Sequence, residues 1–339
     1  MAEKNDSRPE LLWVTSSPHI LDQDSVPKIM WDVVLALAPA LVVSFFLFGL
    51  PVARVLLVSV LGCLLFEWVS LKCRGRSAAP LYDGSAAVTG VLLAMNLPST
   101  SPDWMVLVGA FVAMVIGKHI FGGLGHNPFN PALLARVFLL ISWPVEMTTW
   151  AVPRGSAAAS DAVTAATPLG ALKTGLMSKG VIEESVRNYS MTDMALGVQG
   201  GSLGEMSAIA LLLGAAYLLW RKRITWHIPV SFIATVFVLT GIFWMIDSDR
   251  YMDPVFHMFA GGLILGAFFM ATDMVTCPVT ASGMLIFGAG CGAITVVIRL
   301  WGGYPEGVAF SIILMNSFTP IIDRYTAPSR YGEVVADGT

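Results

Sequence analysis

Charge is scarce in this chain. Its 339 residues include 20 Lys and Arg and 23 Asp and Glu, 13% in all, about half the share of an ordinary soluble domain. So little charge cannot cover a soluble core, which excludes a plain soluble enzyme, and the apolar content excludes disorder. A net charge of −3 gives no basic footprint, so no nucleic acid partner is expected. Only four cysteines occur, Cys63, Cys73, Cys277 and Cys291, without a Cys-x-x-Cys pair. Three lie in or beside apolar runs and Cys73 in a basic loop, so small buried hydrophobes are expected rather than metal or iron–sulfur ligands. There is no Gly-x-Gly-x-x-Gly run to cradle a dinucleotide. Met1–Glu10 is polar and mixed in charge, with no apolar segment before Met30, so no cleavable signal is expected.

Apolar residues are plentiful: 55% of the chain is hydrophobic and the mean hydropathy is +0.72. They fall in runs of about twenty residues, the length that crosses a hydrocarbon core of about 30 Å. Ten candidate spans follow, at 30–50, 52–71, 84–98, 103–121, 130–144, 206–220, 227–246, 254–271, 282–300 and 307–322. The lipid bilayer is therefore an expected partner. Basic loops orient the chain, because Lys and Arg stay on the cytoplasmic side. Lys72, Arg74 and Arg76 follow the second span, Arg221, Lys222 and Arg223 the sixth, and Arg324 and Arg330 the tenth. With ten spans, all three clusters share one side. The expected order is a cytoplasmic segment 1–29, five spans in 30–144, a periplasmic loop 145–205, five spans in 206–322, and a cytoplasmic tail 323–339.

An internal repeat accompanies that count. Gly90–Thr100 aligns with Gly266–Thr276, Pro102 with Pro278 at the same offset, and then Gly122-Gly123 with Gly302-Gly303 and Phe138 with Phe318. Five spans per half is an odd number, so the halves are expected to be inverted, with a working site near the midplane. The fold class expected is thus an all-α membrane protein of about ten transmembrane helices in two inverted five-helix repeats, with one long periplasmic loop.

About sixty residues without a span is long for a connector. Within 145–205, Asp161, Thr164, Ala165, Ala166 and Thr167 stand at D-x-x-[ST]-[GA]-A-T spacing. Chance gives that pattern in on the order of one chain in a thousand of this length. Small Ala neighbours let an enzyme close over the backbone, and Pro168 steers Thr167 away from the α region.

This segment resembles the signal at which a flavin transferase joins FMN, through its phosphate, to a threonine hydroxyl. The resemblance runs along nearly the whole chain, through Ser17-Pro18-His19, Gly122–Ala132, Ala271-Thr272-Asp273 and Gly302–Phe310. Together these look like the D subunit of the Rnf complex. The B subunit of the sodium-translocating NADH:quinone reductase is a sister family with a longer N-terminal extension, and here the first span begins at residue 30. Ala165 departs from the family, which commonly has Gly there.

The resemblance implies a bacterial inner-membrane flavoprotein subunit of an ion-translocating (Na+ or H+) ferredoxin:NAD oxidoreductase, without a complete catalytic cycle of its own. It implies covalent FMN on Thr167, with Asp161, Thr164 and Ala166 as recognition groups, and leaves room for a non-covalent riboflavin. The implied partners are the flavin transferase, a second covalent-flavin subunit and iron–sulfur subunits.

Other residues are weaker candidates. Asn127 and Asn130 enter the fifth span through a Gly/Pro-broken stretch and suit a second flavin, a quinone or an ion, although Asn130-Pro131 also reads as a helix cap. Asp273 stands at a broken helix end and is a candidate for ion coupling. Glu67, near Lys72, is expected at the interface, Lys118 and His119 at the end of span four, and Arg136 and Arg299 as snorkelling ends or partners of a phosphate or carboxylate. The rival from another class is a non-redox solute channel or transporter with inverted repeats. The flavinylation motif speaks against it.

Overall fold

The computed structural model describes residues 24–153, 164–179, 182, 186, 190–197 and 200–328. Helix α1 (Val26–Phe48) carries Pro27 in its first turn, where a missing N–H costs nothing, and stops at Gly49. Gly49 has a φ of 72°, a value glycine enters freely, and its N–H reaches Phe45 O at 2.7 Å. The chain turns there directly into α2 (Leu50–Cys73). Next come α3 (Ser85–Met95), α4 (Asp103–Phe111) with its π-helical continuation Val112–His119, and α5 (Pro131–Ser142).

The segment expected as a long loop contains structure of its own. A short α6 (Pro144–Thr148) leads to two antiparallel strands, β1 (Trp150–Ala151) and β2 (Thr164–Ala165), with Trp150 opposite Ala165. Helices α7 (Pro168–Lys179) and α8 (Met191–Leu196) follow. This strand pair is a small departure from an all-helical chain. The remainder comprises α9 (Ala208–Trp220), α10 (His227–Ile246), α11 (Pro254–Phe259), α12 (Leu263–Leu265) running into a π-helical turn Gly266–Met270, α13 (Ala281–Trp301) and α14 (Val308–Thr326).

Among the described helices, α1, α2, α10 and α13 are long and apolar enough to cross a membrane, and α3, α5 and α9 are shorter apolar helices. The most apolar stretches of the four long ones are only 28–39% buried. Phe46, Leu57, Leu61, Leu213 and Val238 all face outward, an apolar exterior that a lipid environment accommodates and water does not. The span expected over 254–271 is broken. Asp253 caps α11, the helix ends at Ala260, and Gly261 takes a φ of 70° before the chain restarts.

Apolar helices gain little hydrophobic drive against one another in lipid, so their packing depends on close backbone approach at small residues. A Cβ built on Gly214 of α9 would stand 2.0 Å from Ala36 O of α1. Gly90 of α3 lies against the Val60 backbone of α2, and Ser59 donates to Gly90 O at 2.7 Å. Gly288 and Gly292 give α13 the same proximity to Ser231 and Thr235 of α10.

Connecting contacts define two ends of the bundle. At one end, Arg223 pairs with Asp24, Arg74 donates to His119 O, and Thr280 bonds Thr326. At the other, Arg54 meets Asp103, Thr100 donates to Thr149 O, and Lys173 of α7 reaches Tyr304 O. The basic loops after α2 and α9 lie at the first end and α7 at the second.

Replacing Gly214 by Ala should force α1 and α9 apart and cost about 1–3 kcal/mol. Gly303 has nothing within 4 Å of an added Cβ and no positive φ, so Gly303→Ala should unfold at the wild-type temperature in detergent. Equal melting temperatures for the two variants would contradict this packing.

Candidate functional site

Thr167 stands just ahead of α7, with Pro168 at the first helical position. Its Oγ1 accepts the Gly170 N–H at 3.0 Å, and its carbonyl accepts the Ala171 N–H at 2.8 Å. The side chain is thus an N-cap, the position where Ser and Thr hydroxyls satisfy free helical N–H groups. A Cβ on Gly170 would come within 2.9 Å of Oγ1. Ala166 is exposed and Thr167 half-buried. Thr164 and Ala165 supply the backbone of β2, and Asp161 lies outside the described residues.

Helix α7 is docked firmly by one lysine. Lys173 Nζ donates to Tyr304 O at 3.0 Å, Ile298 O at 3.2 Å and Arg299 O at 3.5 Å. Two of these belong to the last turn of α13, whose C-terminal end favours a cation; Ile298 O accepts the Gly302 N–H at 2.9 Å as well. Partial burial pulls the Lys173 ammonium below the usual lysine range. On its apolar side, Leu169 and Leu172 pack with Met252, Phe256 and Ala260. Between α7 and the ends of α10 and α13 lies a cavity of about 400 Å³, lined by Leu169, Lys173, Arg250, Tyr251, Arg299 and Trp301 among others. Among the described residues its lining carries cationic groups and aromatic rings and no carboxylate, a composition suited to a flat, anionic ligand.

Behind this cavity the structure overturns the snorkelling expectation for Arg136 and Arg299, which are 7% and 6% exposed. Arg136 pairs with Glu306, stands 3.6 Å from Glu205 and donates to Asn96 Oδ1 at 2.5 Å. Arg299 donates to His257 O at 2.5 Å and Ala260 O at 2.8 Å, closing the break between α11 and α12. The alternative expectation, a carboxylate partner, holds for Arg136. Sequence reasoning did not single out Glu205 and Glu306. The one available signal was an arginine inside an apolar run, which demands an anion somewhere in the fold.

At the opposite end, a second cavity of about 100 Å³ gathers four of the weaker candidates, Asn127, Asn130, Asp273 and Lys118, with Ser85, Thr89 and Arg223. Asn130 does cap α5, accepting from Ala132 N at 3.1 Å and Leu133 N at 3.3 Å, and its amide also donates to Met270 O at 3.4 Å. Asn127 donates to Phe129 O, and its buried Oδ1 has no partner among the described residues. Asp273 is tied into a local turn by Val275 N and Thr276 Oγ1, each at 3.4 Å. Outside the spans, the Arg223 guanidinium and Lys28 hold the Asp24 carboxyl well below the usual carboxylate range.

Glu67, near the end of α2, is packed inside the protein. It is 1% exposed and bonded to Lys118 Nζ at 2.5 Å, with His119 Nε2 at 3.7 Å; Lys118 in turn donates to Ser85 Oγ at 2.6 Å. Lys118 and His119 close the helix, as expected, and both are buried; the i→i+5 turn shifts the helical phase and carries them inward.

Apolar helices with a lipid-compatible exterior and buried ion pairs define a membrane protein, with a helix-capping threonine beside a cationic, aromatic-lined cavity at one end. A family model described as the NQR2, RnfD, RnfE family matches residues 13–332, and the chain belongs to that family. It is 49% identical over 319 residues to the D subunit of the proton-translocating ferredoxin:NAD(+) oxidoreductase complex of Clostridium ljungdahlii, covering 94% of this chain and 96% of that protein. It is 45% identical over 324 residues to the D subunit of the Na(+)-translocating ferredoxin:NAD(+) oxidoreductase complex of Acetobacterium woodii, covering 95% of each. The D subunit of the ion-translocating oxidoreductase complex of Halorhodospira halophila is 42% identical, with 94% and 95% covered.

Lys118→Met strands the Glu67 charge in the interior and should cost about 3–5 kcal/mol. The double variant Glu67→Met/Lys118→Met should recover most of that loss, read as melting temperature in detergent. A double variant no more stable than the single one would contradict a buried pair whose members depend on each other.

Proposed function

We propose that this chain is the D subunit of an ion-translocating ferredoxin:NAD oxidoreductase complex, relaying electrons through FMN esterified to Thr167. The carrying observation is the Thr167 hydroxyl at the N-terminus of α7, two residues before Leu169 in the wall of the cationic aromatic cavity. The residues fit the group. A phosphodiester on Oγ1 would place a negative charge at the positive end of a twelve-residue helix, where free N–H groups and the helix dipole favour it. Lys173, Arg250 and Arg299 bring positive charge to the cavity, and Tyr251 and Trp301 offer surfaces for a flat ring. Bound there, FMN would supply one-electron redox chemistry, while the protein holds it and tunes its potential. The cationic lining favours an electron-rich ring and so raises that potential.

The transmembrane arrangement follows the same reading. Ten crossings in two inverted halves agree with the packing of α1 on α9, the first helices of the two halves, and with the corresponding contacts of α2 with α4 and of α10 with α13. The end bearing Lys72, Arg74, Arg76, Arg221, Lys222 and Arg223 is assigned to the cytoplasm by its basic loops. The α7 end then faces the periplasm, within reach of a periplasmic flavin transferase. Other subunits of the complex carry the iron–sulfur centres, a second covalent flavin and the NAD site.

The smaller cavity is the proposed seat of a non-covalent riboflavin. The unpartnered Asn127 Oδ1 and the Asn130 amide supply polar contacts, and its walls must open to admit the ring, since its volume is about 100 Å³. Asp273 on its rim is the proposed point of ion coupling. Family membership weighs against the solute-channel alternative. The names of the relatives favour the D-type subunit over the B-type subunit of a sodium-translocating NADH:quinone reductase.

Protein expressed with the transferase should give a fluorescent band on a denaturing gel, and its tryptic peptide should carry the FMN adduct on Thr167. Thr167→Ala should be dark yet assemble. A dark wild-type band with unmodified Thr167 would overturn the covalent-flavin reading and return the transporter alternative.

A further inference from the structure

Two carboxylates behind α7 have no role in holding the proposed flavin. Glu205 and Glu306 meet beside Gly262: a Cβ built there would lie 2.8 Å from Glu306 Oε1 and 3.6 Å from Glu205 Oε1. Their support is unequal. Glu306 accepts the Gly262 N–H at 2.5 Å and pairs directly with Arg136. Glu205 has Arg136 Nη2 only at 3.6 Å, and its buried Oε1 has no hydrogen-bond partner among the described residues.

The surrounding cations do not repair that imbalance. Arg136 on α5 turns its other terminal nitrogen to Asn96. Arg299 on α13 gives its terminal N–H groups to the carbonyls of His257 and Ala260. Lys173 on α7 is engaged by the carbonyls at the end of α13, and the His257 ring on α11 stands beside Arg299 with its Nδ1 unpartnered among the described residues. Two ionised carboxylates this close in a dry interior repel, and the one with fewer donors is the one that accepts a proton. Burial and the facing Glu306 charge push the Glu205 carboxyl, in the turn before α9, above the usual range. A cavity of about 40 Å³, lined by Arg136, Tyr304 and Glu306 among others but not by Glu205, has room for a water that would pass the proton to the pair through Glu306.

We propose that Glu205 and Glu306 form a proton-binding site, with one exchangeable proton on Glu205, that compensates negative charge arriving in the α7 cavity. The pair lies one side chain behind α7, because a Cβ on Gly261 would touch both Leu169 Cδ1 at 2.9 Å and Glu306 Oε1 at 3.1 Å. The chemistry balances simply. A hydronium ion from solvent gives up a proton through water in the small cavity and by way of Glu306: its O–H bond breaks, an O–H bond forms on the Glu205 carboxylate, neutral water is left behind, and the pair itself gains or loses no electron. The compensated electron comes from a one-electron donor of the complex, an iron–sulfur centre or a flavin, and rests in the α7 cavity. With two arginines and one remaining carboxylate, the protonated cluster carries a net positive charge that attracts it. This coupling rests on the flavin site proposed above, whereas the proton site stands without it.

Infrared spectroscopy of the Thr167→Ala protein, which lacks the covalent flavin, reads the proton site alone. A carboxylic-acid carbonyl band should titrate with pH and vanish in a Glu205→Gln background. Should Glu205→Gln fail to fold, Glu306→Gln serves instead: removal of the like charge should move the same band to lower pH. A band absent at every pH, or unchanged in these variants, overturns the proposal. In the flavin-loaded complex, the midpoint potential of the Thr167 flavin should fall as pH rises. The limit is about 59 mV per pH unit, the equivalent of a tenfold change for one electron, and Glu205→Gln should flatten the slope. An identical slope in Glu205→Gln overturns the coupling, whereas an unmodified Thr167 beside an intact infrared band overturns only the covalent-flavin reading.

Discussion

Arg136 lies on an apolar helix, and the fold must find its charge a partner inside the bundle. Its answer draws on both halves of the chain. Glu306 from the turn before α14, Asn96 from the end of α3 and Glu205 from the turn before α9 all converge on one guanidinium. Removing any one of them leaves polar groups stranded where water is scarce, which is far more costly than losing a surface pair. The Gly261–Gly262 break between α11 and α12 follows from this demand. A Cβ at either residue would crowd Glu306 Oε1, and the Gly262 N–H must be free to reach it.

The same break opens the outer end of the bundle to α7. Arg299 closes the interrupted helix by taking the His257 and Ala260 carbonyls, and Lys173 joins the carbonyls at the end of α13. One helical N-terminus is thereby fixed beside a cationic cavity, with Thr167 as its cap. A proposed redox centre held this way needs no catalytic residue. The helix end and the basic lining are set in place by the fold, and charge compensation falls to the carboxylate pair behind.

Much of this was legible in the sequence where the signal is local. Asn130-Pro131 announced an N-cap and first turn, and both are present. The apolar runs located the long helices α1, α2, α10 and α13, whereas the helix that starts at Pro168 lies in a segment expected as loop. What escaped was non-local. Glu67 and Lys118 are 51 residues apart, and Arg136 and Glu306 are 170 apart, so nothing in the local pattern pairs them. The π-helical turn over 112–119 was equally hidden. It carries Lys118 and His119 inward by changing the helical phase, so the helix end legible in the sequence is also half of a buried ion pair with Glu67. The run 254–271 looked continuous because its apolar content is unbroken, whereas the break depends on the backbone at Gly261.

The most direct test of the covalent flavin at the α7 cap is a density map of the purified complex, assembled in cells that contain the flavin transferase. The expected result is density continuous from Thr167 Oγ1 through a phosphate, with a three-ring system lying among Lys173, Tyr251 and Trp301. A free Thr167 hydroxyl still capping α7, beside a cavity filled only by water or lipid, would contradict it.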